Sequence, residues 1–130
     1  MLLWNTKLHF AQREDALGEF NGGNLTSTQW IIRTSTIALA KAILASKGHT
    51  HQNDRWTIRL LEDNRDAIPM ASELIQIISG RPISHKSEVI DWTTFCDSLV
   101  ADILGAAPEL MPVFMHVLAA FPITTAISND

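Results

Sequence analysis

Residues 25–48 read LTSTQWIIRTSTIALAKAILASKG, the longest stretch of the chain without a proline or an internal glycine. They predict a helix over 26–47. At its start, Thr26 can cap the amide three residues on, Gln29 can reach back to the backbone of Thr26, and Leu25 can pack against Trp30. At its end, Lys47 opposes the negative pole of the helix and Gly48 can take the left-handed conformation that closes it. Such a helix is about 30 Å long, the width of a small domain. Trp30, Ile37 and Leu44 fall on one side, while Ile32, Leu39 and Ile43 fall about half a turn away. A helix that is apolar on two sides needs cover on both, so the remaining segments are expected to pack around it.

Working outward, AQREDALGEF (11–20) predicts a helix that turns Leu17 and Phe20 inward and ends at Asn21-Gly22-Gly23-Asn24. Before it, Leu2, Trp4, Thr6, Leu8 and Phe10 alternate with more polar residues and predict a short extended entry. After the central helix, Asn53 or Asp54 can cap a short helix through Trp56, Leu60 and Leu61. Pro69 is placed to start the next helix, whose buried face is Met70, Leu74, Ile77 and Ile78 up to Gly80. Residues 87–105 give the cleanest amphipathic pattern, with Val89, Trp92, Cys96, Leu99 and Ile103 on one face. The last helix starts at Pro108, restarts at Pro112 and stops before Pro122, leaving 122–130 as a loosely held tail. The expected fold is mainly α: one domain over 1–130, a bundle of about five helices around helix 26–47. The alternative is an α+β fold in which 2–10 and 55–61 pair as a two-stranded ribbon.

Composition narrows the function classes. Apolar residues make up 46% of the 130, enough to fold around a core without the polarity that disorder needs. Residues 1–86 hold ten basic and eight acidic side chains, whereas 87–130 hold six acidic and no basic ones, so a nucleic acid is repelled by the last third. Cys96 is the single cysteine, which excludes an intrachain disulfide framework. MLLWNTKLHF lacks the layout of a signal peptide, and Arg33 and Lys41 make the central helix a poor membrane span. These features predict a cytoplasmic protein in a reducing compartment, with no membrane partner.

No phosphate-binding glycine loop, nucleophile elbow or HExxH pair is present, and no cofactor is expected. His49 and His51 have the spacing of a weak metal pair, an enzyme alternative in which they would be the ligands. Two histidines just past a helix end are more simply solvated residues favoured by the helix dipole. Glu62, Asp63 and Asp66 read as a solvated acidic turn, and Cys96, among Trp92 and Leu99, reads as inert packing rather than a thiol paired with His85 or His116. Lys47, Arg55, Trp56 and Arg59 form a basic and aromatic set suited to a subunit of a nucleic-acid complex, and nucleic acid is expected as a partner only there.

The leading expectation is a non-catalytic protein that binds other proteins or its own copies. Its warrant is apolar surface in excess of what one small core covers. In the last helix Val113, Phe114, Val117 and Leu118 can turn inward while Met111 and Met115 share another side; the expected partner surface is Met111, Phe114, Met115 and Leu118.

Overall fold

The computed structural model describes residues 2–49, 53–68 and 70–120. Among them the chain is all-α. Its helices are α1 (Leu2–Asn21), α2 (Leu25–Ser46), α3 (Asp54–Asp63), α4 (Ala71–Ile78), α5 (Lys86–Ala106) and α6 (Met111–Ala120), with a 3₁₀ turn over Pro108–Leu110 leading into α6. The expected tail over 122–130 lies outside the described residues.

Helix α2 is the wall that α1, α3, α4 and α5 share. Ser35 to Ala40 and Ala42 to Leu44 are all buried, so the helix is covered on every side through its middle turns. Ile32, Ile37, Leu39, Ile43 and Leu44 enter the main core, where they join Leu17 of α1, Leu61 of α3, Leu74 and Ile78 of α4 and Val89, Trp92, Cys96 and Leu99 of α5. Trp30 is the exception among the predicted stripes. It stands 60% exposed, with the Arg33 guanidinium 5.7 Å from the ring centroid.

The exit of α2 follows its sequence. Gly48 takes φ +91°, its N–H donates to the Ala45 carbonyl at 3.1 Å, and the His49 N–H donates to Leu44 at 2.8 Å, which satisfies carbonyls that the helix end leaves open. The entry does not. The same pair of bonds closes α1 at Gly23, with Asn24 N–H donating to Glu19, and this delivers the chain directly into α2 at Leu25. Thr26 is therefore already inside the first turn and exposed, and the Thr28 N–H and hydroxyl both donate to the Asn24 carbonyl. The capping box over Thr26 and Gln29 is not made. A side-chain cap does form at α3, where Asn53 Oδ1 accepts from the Arg55 N–H at 2.8 Å. Asn53→Ala is expected to cost about 0.5–2 kcal/mol and Thr26→Ala less than about 0.5 kcal/mol. Chemical denaturation of the two variants beside wild type checks the order.

The extended entry over 2–10 is overturned: these residues are the first half of α1. Of the alternating residues only Thr6 and Phe10 reach the true buried face, which is Asn5, Thr6, His9, Phe10, Arg13, Ala16 and Leu17, a helical stripe that is half polar. With 55–61 inside α3, the two-stranded ribbon is also excluded, and no strand occurs among the described residues. Pro69 lies outside those residues. Met70, expected on the buried face of α4, instead precedes it in the left-handed region at φ 58° and is exposed.

Pro112 sits in the first turn of α6, where its missing N–H breaks no helical bond, so the restart there is as expected. Phe114 and Val117 close over Phe10 of α1 as a second, smaller core.

Candidate functional site

Helices α4 and α5, joined by the linker of residues 79–85, line a cleft of about 250 Å³. Glu73, Ile77 and Arg81 recur every four residues along one side, and Glu88, Asp91, Trp92 and Phe95 recur every three to four along the other. Its floor is apolar. Ile77, Ile83 and Trp92 are buried, and the Trp92 indole N–H donates to the Thr36 hydroxyl of α2 at 3.0 Å, which fixes the ring. Its rim is charged. The Glu88 carboxylate accepts from the Ser84 N–H at 3.1 Å and the His85 N–H at 3.0 Å. Those bonds, that from Ser84 foremost, hold it below the usual carboxylate range, so it stays ionised. Arg81 donates to Gln76 Oε1 and lies 4.0 Å from Glu73.

Across Ile77 and Arg81 a second depression of about 330 Å³ reaches the start of α2, where Leu25, Thr26, Trp30 and Arg33 line it. Leu25 and Trp30 are both exposed at this mouth. Together the two depressions present a fixed apolar floor, an exposed indole and charged rims of opposite sign. Sequence reasoning placed Trp30 in the core. The signal against that was Thr26 and Arg33, polar residues one turn to either side on the same face of α2.

The residues expected to contact a partner separate on α6. Phe114 is buried against Phe10 and Leu118 is partly buried beside it, whereas Met111 and Met115 are exposed, Met115 at 58%. Of the basic set, Arg55, Trp56 and Arg59 line one depression, with the Arg59 guanidinium 5.3 Å from the Trp56 ring centroid. Lys47 is not with them; it lines a separate depression beside Asp102 and Ile103. His49 is half-buried at the end of α2, and His51 lies outside the described residues. Among the described residues no three His, Cys, Asp or Glu side chains gather as metal ligands would.

A buried polar cluster joins α1, α2 and α5. His9 is wholly buried, and its Nδ1 lies 2.9 Å from the Ser35 carbonyl, which can only accept, so Nδ1 carries the proton. The Ser35 hydroxyl donates to the His9 carbonyl at 2.9 Å. With Nδ1 as a donor and the hydroxyl turned to a carbonyl, the two do not form a nucleophile and base pair. Nε2 has no hydrogen-bond partner among the described residues, and burial depresses the pKa to about 4. One turn on, the buried Arg13 binds Asp97 of α5 through two bonds of 2.7 and 3.3 Å. Cys96 is enclosed in the core, and burial pushes its thiol up to about 12, far from the thiolate that reactivity needs.

Comparison with protein-family models, curated proteins and solved structures finds no match to this chain. No single helix among the described residues is long and apolar enough to cross a membrane.

Proposed function

We propose that this chain is a non-catalytic protein-binding module, an adaptor, inhibitor or assembly subunit, that docks partners on the surface around Trp30. The exposed indole at the mouth of an apolar-floored groove carries the reading. Tryptophan is usually well buried, and an exposed one beside a concave apolar surface is the side chain most enriched where binding energy concentrates. Arg33 against the ring holds it in place, so little freedom is lost when a partner covers it. Met111 and Met115 on α6 supply a second exposed apolar surface of the adaptable kind that protein contacts use.

Trp30→Ser and Met115→Glu are each expected to leave the helical circular dichroism intact, since both side chains are exposed, and to weaken association by roughly tenfold or more. The readout is light scattering for self-association together with quantitative mass spectrometry of proteins retained by tagged wild type and variants. A wild type that stays monomeric and retains nothing that either variant loses would sink the proposal.

A further inference from the structure

We infer that the cleft between α4 and α5 receives a basic amphipathic helical segment of a partner protein, with a lysine or arginine stem laid along Ile77, Trp92 and Phe95. The inference rests on the protein-binding reading and names the class of partner. Its first support is shape. Glu73 and Ile77 stand one turn apart on the α4 wall, and Glu88, Asp91, Trp92 and Phe95 recur at steps of three and four on the α5 wall, two helix faces that leave a groove for a third helix. Helix α4 has eight residues and is about 12 Å long, so the groove matches two turns of a ligand helix. The second support is charge. Glu73, Glu88 and Asp91 stand on the rim against the single cation Arg81, which already serves Gln76 and lies near Glu73. The N–H groups of Ser84 and His85 fix the Glu88 carboxylate on the rim. Beyond Lys86 the chain has no Lys or Arg, so nothing further along α5 offsets the carboxylates on that wall.

An apolar floor between carboxylate rims suits a side chain with a methylene stem and a cationic head, because the stem is buried while the head stays at the charged edge. A nucleic acid strand would meet the same carboxylates with like charge. The cleft shares Ile77 and Arg81 with the Trp30 depression, so a ligand longer than one side chain has apolar surface beside it.

The test is selection of the full chain against a displayed library of helical peptides of about 12 residues, with the enriched sequences read out and their affinities measured on wild type and variants. Peptides carrying Lys or Arg beside apolar residues spaced by three or four are expected to be enriched, and to bind more weakly as salt rises. Their affinity is expected to fall roughly tenfold or more in the double variant Glu73→Lys with Asp91→Lys. Both positions are exposed, and circular dichroism verifies that the variant folds. Reselection on that variant is expected to favour acidic peptides, a switch that mere loss of structure would not produce. Enriched peptides that lack basic residues, or that ignore the charge reversal, overturn the inferred class; if Trp30→Ser still abolishes their binding, the protein-binding reading stands. Enrichment of nothing overturns the inferred class, while the protein-binding reading falls only if wild type also stays monomeric and retains nothing that Trp30→Ser loses.

Discussion

Leu39→Ala is expected to lower the unfolding free energy by roughly 2–5 kcal/mol, a large share of the 5–15 kcal/mol typical of a domain. Leu39 is completely buried in the middle of α2, on the helix that meets α1, α3 and α4 and that Trp92 of α5 reaches through Thr36. Deleting its branched end leaves a void that surrounding helices cannot close without losing contacts elsewhere. Trp30→Ala, nine residues earlier on the same helix, removes a far larger side chain and is expected to shift stability by less than about 1 kcal/mol, because the indole is already in water. Urea unfolding followed by circular dichroism measures both. Equal losses would mean that Trp30 packs inside after all; a negligible loss at Leu39 would remove α2 from the centre of the fold.

Much of this architecture was legible because periodicity and punctuation agreed. The stripe Val89, Trp92, Cys96, Leu99 and Ile103 of α5 is buried throughout, as its spacing of three and four residues requires. Gly48, Asn53 and Pro112 mark helix ends for reasons local to the backbone, and local reasons survive folding. Helix α1 was not legible over 2–10, because the reading followed apolar residues while the protein buries polar ones. Asn5, Thr6, His9 and Arg13 are inside, and partners for such groups lie far along the chain: Ser35 for His9, and Asp97 for Arg13. No window of sequence shows that Arg13 will meet a carboxylate on α5.

The aromatic residues failed for a related reason. Size and spacing point Trp30 inward and suit Trp56 to either place, yet both are exposed under an arginine, and only Trp92 is buried. A large amphipathic ring is favourable in either place, so the packing of neighbouring helices decides. The cleft between α4 and α5 was invisible because its walls come from two separate segments. Read singly, Glu73 and Asp91 are solvated charges; only the placement of the two helices along one cleft turns them into its rims.

The buried imidazole of His9 predicts that stability falls as pH drops from neutrality to about pH 4, by roughly 3 kcal/mol from this group. The folded-state pKa, about 4, is depressed below the ordinary 6.5, chiefly by burial; Arg13 lowers it further, while the Ser35 carbonyl and Asp97 act the other way. Above pH 6.5 both states hold the ring neutral, so its full contribution is present. Between 6.5 and 4 the unfolded chain takes up a proton that the folded chain refuses, so stability is lost as pH falls through that window. Once protonated, Nε2 would be a donor in the core with no acceptor among the described residues, close to the buried cation of Arg13. His9→Asn keeps an N–H that can donate to the Ser35 carbonyl and removes the titration. The variant is expected to be less stable than wild type at pH 7, where packing of the ring is lost, yet to show a drop between pH 7 and pH 4 that is smaller by roughly 3 kcal/mol. Urea midpoints across that range give the comparison, and parallel pH profiles for wild type and His9→Asn would show that protonation of His9 is not what α1 resists.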